Sequence, residues 1–558
     1  MRTARRSRNA SEPSSRFVSL VSLCHHHHRR RNPAGDRKTD AAAQDGPAEE
    51  PEKPFELPTE DAQKGVQTIE AVTLTWSKPS LIAVFILMFL LYFVNAFQAS
   101  ILYNLIPYVT SDFETHSLLT VIYIQGHLHL CAAEVFYTIG FGGMTYSVDV
   151  ITADASKLKN RGLAYAFTSS PYMITAFAGA KASEDFYEGI SWRWAFGIFA
   201  IILPFVAAPL FVVLKVNLHK ARQQGIIFRE SSGRSFLQNV WHYTLEFDAL
   251  GVVLFAGGLT VFLLPFTLAD TAPNGWSTGY IIAMIVVGFV VLVAFGIYEA
   301  KLAPRPFINF TLLSDRTVVG GCLLCMTYQI SYYCWNSYFT SFLQVVNNLS
   351  VSKAGYVGST FDVVSGVLLL IVGMVIRKTG YFRWLLYFAV PLYILAQGLM
   401  IYFRRPNGYI GYIVMCQIFI SVGGSIFIIC EQLAVLAAVD HQHIAAGLAL
   451  LYVAGNVGGA IGNTISGAIW TNTFRNALAR YLPESELPNL QDIYDDLEVQ
   501  LSYEVGTPER LGIQEAYGYA QTRMLAAGTG IMTLSFIWIF LIKNINLAKK
   551  PQVKGMVF

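Results

Sequence analysis

The sequence predicts an all-α polytopic membrane protein, and three observations predict it. Hydrophobic residues make up 54% of the 558 and charged residues only 14%, where a soluble domain carries roughly 25% charged. Mean hydropathy is +0.44. Apolar runs of about 20 residues, the length that crosses a bilayer as a helix, recur at 81–103, 131–148, 163–181, 194–214, 247–269, 279–298, 317–345, 354–376, 384–403, 409–438, 445–471 and 520–545. A net charge of +3 with no basic polar domain excludes a nucleic-acid surface. Cys131, Cys322, Cys325, Cys334, Cys416 and Cys430 lie inside apolar runs and read as packing residues, not as a disulfide framework.

Taken in order, residues 1–78 are Arg-rich, then rich in Ala, Pro and Glu. They lack a sustained apolar period and are expected to form a disordered tail. Its four histidines, His25 to His28, read as a solvated low-complexity tract. The twelve spans follow. With the N-terminus inside, the inner loops hold Lys157, Lys159 and Arg161, then Lys215, Lys220, Arg222, Arg229 and Arg234 in the linker 215–246. Lys301, Arg305 and Arg316, then Arg377, Lys378 and Arg383, complete the set. Basic residues concentrate on the inner side of transmembrane helices, so both termini are expected in the cytoplasm, including the tail 546–558. The outer segment 472–519 is too long for a simple connection. It carries Tyr481, Tyr494, Tyr503 and Tyr517 among many carboxylates.

Short loops, no large soluble domain and no P-loop motif suggest a secondary transporter rather than an ATP-driven pump. His127 and His129, like His441 and His443, are not spaced as an i,i+4 metal couple, so no enzyme, cofactor or resident metal is expected. Charges inside spans are the stronger signal. A carboxylate at the bilayer centre costs about 2.5–3.5 kcal/mol on insertion scales, so Glu134, Asp362 and Glu431, with Arg523, are candidates for the cavity or for proton coupling. Glu431 leads; its plainer role is pairing with Arg523 to fix helix register. Gly455, Gly458, Gly459 and Gly462 have the small-residue spacing of close helix contacts.

The segment VDVITADASKLKNRGLAYAF (148–167) closely resembles the siderophore iron transporters of fungi, a branch of the major facilitator superfamily. The similarity continues through EFDALGVVLFAGGL (246–259), IICEQLAVLAAV (428–439), NVGGAIGNTISGAIWTN (456–472) and YGYAQTRMLAAGTGIM (517–532). The resemblance implies a major facilitator fold of 14 helices and proton-coupled import of ferric siderophores at the plasma membrane or in endosomal vesicles. It divides this chain into an N-terminal bundle (79–214), a central extra pair (247–298) and a C-terminal bundle (299–545). RKTGYFR (377–383) resembles the second-half copy of the superfamily's inner-loop motif, so Arg377, Lys378 and Arg383 join Asp149, Asp154, Lys157 and Arg161 as expected inner-gate residues. The tyrosines of 472–519 are expected to meet an arriving chelate, of hydroxamate type, with protons and the lipid bilayer as the other partners.

The chain departs from the family's pattern at one place. HSLLTVIYIQGHLHLCAAEVFY (116–137) runs directly between segments that relatives separate by two further helices and a DxxGR-like inner loop. About 12 of the family's 14 helices are therefore present, and the N-terminal bundle is incomplete around Ile124 to Leu130. Glu134 also stands where relatives commonly carry Gln, and Ala180 where they carry Pro. Two alternatives stay open: a proton antiporter of the same fold that exports drugs or other small molecules, and, because two helices are missing, a transport-defective product that binds siderophore without transporting it.

Overall fold

The computed structural model describes residues 64–112, 116, 128–226, 233–306, 308, 310–549 and 557–558. The tail before residue 64 and the junction from Ile124 to His127 lie outside the described residues. Among those described, all regular structure is helical. The tail expected to reach 78 instead ends in a helix, α1 (Lys64–Thr75). Ala71, Val72 and Trp76 are buried there, four-residue spacing that turns one side of the helix inward.

The N-terminal bundle contains α2 (Lys78–Ser111), α3 (Leu128–Asp154), α4 (Leu158–Ser169), α5 (Pro171–Asp185) and α6 (Trp192–Gln223). Ser77 caps α2, its hydroxyl accepting from the Ser80 N–H at 3.3 Å. The predicted span 163–181 is divided between α4 and α5 because Pro171 has no N–H to continue the ladder. A short linker helix, α7 (Phe236–Glu246), precedes the paired α8 (Ala249–Leu263), α9 (Pro265–Leu268) and α10 (Gly279–Lys301). The C-terminal bundle follows, with α11 (Phe310–Leu313), α12 (Arg316–Asn336), α13 (Phe339–Val345), α14 (Val351–Gly358), α15 (Thr360–Thr379) and α16 (Arg383–Phe403). Next come α17 (Ile410–Ala438), α18 (Ile444–Tyr481), α19 (Leu490–Asp495), α20 (Leu497–Ser502), α21 (Pro508–Met532) and α22 (Ser535–Leu541).

Among the described residues nine helical stretches are long and apolar enough to cross a membrane. The other predicted spans correspond to α3, α4 with α5, and α12 with α13. The outer connection is shorter than the sequence suggests, because α18 continues to Tyr481 and α21 starts at Pro508.

Helix α12 packs on α18, α16 and α15 on α17, and α2 on α5 and α6. The glycines of α18 explain the first contact: a Cβ on Gly462 would lie 2.9 Å from the Ile330 Cα. The two bundles meet where α4 and α5 cross α15 and α14. Gly373 makes that crossing possible, since a Cβ there would lie 2.9 Å from the Leu163 Cα. Exposed apolar side chains such as Ile201, Phe205, Val286 and Phe289 coat the outside, as lipid solvation requires.

Candidate functional site

The interface between the bundles is polar, and it is tied at both ends. On the side of the basic loops, α3 carries Asp149, 3% exposed. Its Oδ1 accepts from the Tyr92 hydroxyl of α2 at 2.9 Å. Its Oδ2 accepts from the Tyr452 hydroxyl of α18 at 2.5 Å and from the Gln432 amide of α17 at 3.5 Å. One carboxylate thus takes hydrogen bonds from both bundles. Beside it, the Tyr146 hydroxyl donates to the Ala445 carbonyl at 2.9 Å, and the Tyr165 hydroxyl to the Asp149 carbonyl at 3.1 Å.

The other inner-gate candidates divide. Arg161 is fully buried and donates to the carbonyls of Ala153 at 2.9 Å and Ser156 at 3.3 Å. A cation on the last carbonyls of α3 is favoured by the helix dipole, so Arg161 fixes the α3–α4 turn. Asp154, buried nearby, adds its charge to that turn. The Lys157 side chain is exposed, while its N–H donates to the Phe558 carbonyl and the Phe558 N–H donates back to Ala155, both at 2.9 Å. The Phe558 ring lies 5.9 Å from Phe85 and 5.8 Å from the Arg377 guanidinium. Lys378 is exposed, and Arg383 sits 5.5 Å from the Tyr387 ring. Gly380, at φ 72°, closes α15 in the left-handed conformation that suits glycine.

Deeper in the interface, Asp362 stands in the first turn of α15, within electrostatic reach of Tyr103, Tyr172 and Tyr332. The Tyr103 hydroxyl donates to Asn336 at 2.9 Å, and the Asn336 amide to Tyr332 at 3.2 Å. Within the C-terminal bundle, Glu431 of α17 is 6% exposed beside Cys325 of α12, and among the described residues its Oε2 has no hydrogen-bond partner. The structure does not bring it to Arg523. That guanidinium stacks 3.3 Å from the Tyr519 ring on the exposed side of α21 and donates to the Tyr519 carbonyl at 2.9 Å. Glu134 belongs to α3, and its side chain lies outside the described residues.

At the opposite end, the segment between α18 and α21 folds down onto the bundles. The Leu497 N–H donates to Ser111 at 3.0 Å, and the Tyr187 hydroxyl to Glu498 at 2.6 Å. The Tyr108 hydroxyl donates to Gln344, and Ser352 to Glu184 at 3.0 Å. Of the four loop tyrosines, Tyr517 is fully buried in α21 and donates to Gln500 at 2.7 Å. Tyr494 is buried with its ring 6.1 Å from Phe474. Tyr481 ends α18. Tyr503 donates to Glu486 at 2.8 Å. Hydrogen bonds from Asn489 and Tyr503 hold the Glu486 carboxyl below the usual range, while burial, then the Glu486 carboxylate, pushes the Tyr503 hydroxyl up to about 12. Hydrogen bonds thus join the two bundles at both ends of the interface.

Sequence reasoning missed Tyr92, Tyr103, Gln432 and Tyr452. The signal for the first two was present: Tyr92, Asn95, Gln98 and Tyr103 recur every three to five residues along an otherwise apolar span, a polar stripe at helical spacing. Among the described residues, polar side-chain atoms of Gln98 and Gln417 are buried without partners. Among the described residues no group of three or more His, Cys, Asp or Glu side chains is placed to hold a metal ion.

No protein-family model matches the chain. It is 60% identical over 546 residues to the siderophore iron transporter mirB of Emericella nidulans, with 90% of each chain covered. It is 52% identical over 546 residues to the MFS siderochrome iron transporter 1 of Gibberella zeae, again with 90% of each covered. The MFS siderochrome iron transporter D of Aspergillus fumigatus is also 52% identical, over 90% of this chain and 91% of that one. Among solved structures, a bacterial homolog of the human lysosomal transporter Spinster, inward-facing and unoccupied, aligns with a TM-score of 0.46 and 14% identity. The alignment covers 84% of this chain and 98% of that one.

Proposed function

Because the chain belongs to the fungal siderophore iron transporters of the major facilitator superfamily, we propose that it imports ferric siderophores together with protons. It is a transporter, not an enzyme. The observation that carries the proton-coupled reading is Asp149, whose carboxylate accepts from Tyr92 of one bundle and Tyr452 of the other.

The cycle runs as follows. A ferric siderophore, the substrate, reaches the interface once the outer contacts at Leu497, Glu498 and Gln344 part. Its oxygen-rich, bulky surface suits the hydroxyls and amides of Tyr103, Asn336 and Gln98, and a hydroxamate chelate offers acceptors to each. A proton from the outer side then forms an O–H bond on the Asp149 carboxylate. The neutral acid is a weaker acceptor, because hydrogen bonds to charged groups contribute about 1.5–3 kcal/mol and neutral ones about 0.5–1.5. The inner tie loosens, the bundles part on the side of the basic loops, and chelate and proton leave. Loss of the proton to water restores the carboxylate and the tie. Each proton moving inward gains about 2.3 kcal/mol per 100 mV, enough to drive modest accumulation. Asp362, facing Tyr103 and Tyr172 across the same interface, and Glu431, buried within the C-terminal bundle, are further proton carriers in this scheme. In this reading both termini lie on the cytoplasmic side, which the basic inner loops support, and the membrane is the plasma membrane or that of endosomal vesicles.

One observation favours a second reading, binding without transport. Among the described residues, Gly140, Gly142 and Gly143 of α3 have no neighbour within 4 Å of a built Cβ, and Phe136 is 76% exposed, a face that the two further helices of the relatives would cover. Uptake of radio-iron-loaded hydroxamate siderophores, in cells stripped of their own transporters and with surface residence confirmed, separates the two. Protonophore-sensitive uptake supports import; binding without uptake supports the second reading.

A further inference from the structure

The most exposed apolar surface that the transport cycle does not use belongs to α7. Ser235 and Gln238 form a capping box at its start, the Ser235 hydroxyl accepting from the Gln238 N–H at 3.4 Å and the Gln238 side chain accepting from the Ser235 N–H at 3.0 Å. The sequence therefore specifies a helix here rather than a loose linker. Phe236 is 80% exposed, Leu237 77%, Trp241 66% and Phe247 70%. At 100° per residue these side chains, with Val240, Tyr243 and Leu245, cover one broad side, and Gln238, Asn239, His242 and Glu246 fill the other. Thr244 falls on the apolar side, where its hydroxyl is satisfied by the Val240 carbonyl at 2.9 Å. Phe236, Val240, Tyr243, Phe247 and Ala249 line a shallow groove of about 550 Å³.

Neighbouring contacts fix the level of this helix. Arg305, just beyond α10, pairs with Glu246. Tyr298 of α10 donates to Asp248 at 2.8 Å, and α8, a membrane-crossing helix, begins at Ala249. The apolar side of α7 is therefore continuous with the lipid-facing surface of α8 and α10. Exposed Lys215, Lys220, Arg222, Arg234 and Lys301 belong to the segments that flank it. We propose that α7 is seated in the lipid leaflet on the side of the basic loops, its apolar side among acyl chains and its basic rim on anionic headgroups. Amphipathic helices of this kind bind through buried apolar area plus attraction to anionic lipid.

The test uses the full chain in nanodiscs, with a bimane label at Leu237→Cys or at His242→Cys and an unlabelled-position control; the five described native cysteines are buried. The probe lipids are phosphatidylcholine and phosphatidylserine with brominated acyl chains. The expected result is strong quenching at Leu237→Cys, weak quenching at His242→Cys, and a preference for phosphatidylserine that falls about fivefold when Arg234→Gln removes one basic group. Equal, water-like fluorescence at both positions would overturn the seat in the leaflet. Quenching that ignores the headgroup would overturn the anionic rim.

Discussion

Replacing Asp149 by Asn keeps the size of the side chain and removes its charge. The carboxylate accepts from Tyr92 at 2.9 Å and Tyr452 at 2.5 Å. Of these two bonds only the one from Tyr452 crosses between the bundles; a bond to a charged acceptor exceeds its neutral counterpart by about 1–1.5 kcal/mol, so Asp149→Asn weakens the inner tie by about that much. At 1.4 kcal/mol per tenfold, that moves the equilibrium about 5- to 12-fold toward the state open on the basic side. Spin labels at Lys159→Cys in α4 and Lys378→Cys in α15, both exposed on the inner side of different bundles, report the separation. The distance distribution should shift to longer values in Asp149→Asn at every pH, and in the parent only on acidification. Accumulation of iron-loaded siderophore against a gradient should be lost, while exchange of internal for external chelate persists. An unchanged distance distribution, with accumulation at the parent's level, would refute the reasoning, provided the variant reaches the membrane in equal amount.

Four further outcomes follow from the same geometry. Tyr452→Phe removes the tyrosine bond that crosses between the bundles, about 1.5–3 kcal/mol for a charged acceptor, so the label separation should shift in the same direction at least as far as in Asp149→Asn. Gly373→Leu forces a side chain against the Leu163 backbone, 2.9 Å away at the Cβ; overpacking of this kind costs about 1–3 kcal/mol, read as a lower Tm in detergent together with slower uptake. Arg523→Gln removes a guanidinium that stacks only on Tyr519 on the outside of α21, and radio-iron uptake should change by less than about twofold. Because the folded Glu486 carboxyl titrates below its unfolded value, its bond from Tyr503 is present above the ordinary glutamate pKa of about 4.3 and is lost as pH falls through the lower folded value. Hydrogen exchange in the 482–507 segment should quicken there, and Tyr503→Phe should quicken it already at neutral pH.

The spans were legible because a lipid-facing helix must be apolar along its whole length, and each of the twelve runs corresponds to helix in the structure. The ends were less so. Tyr517 reads as a loop residue from composition, since the α21 sequence PERLGIQEAYGYAQTR is polar; in the structure that polarity is satisfied internally, by Arg510 donating to Gln500 and Asn348. Charge inside a span flagged Glu134, Asp362, Glu431 and Arg523, and the inner-gate run flagged Asp149, but neither could say which charges meet. Glu431 and Arg523 look complementary in the sequence yet face different ways, whereas Asp149 and Tyr452, 303 residues apart, are brought together only by the packing of α3 against α18. The hydroxyls of Tyr103, Tyr146 and Tyr452, all inside apolar runs, donate from one bundle to the other, which a period count on hydrophobicity alone does not register.

The most direct test of proton-coupled import is made in proteoliposomes containing the purified chain. Ferric hydroxamate siderophore is added outside, and external pH and radio-iron entry are followed together under an imposed inward-negative potential. The account predicts alkalinisation of the medium in step with iron entry, and the loss of both in Asp149→Asn. Iron entering at full rate with no movement of protons, at any external pH, would contradict it.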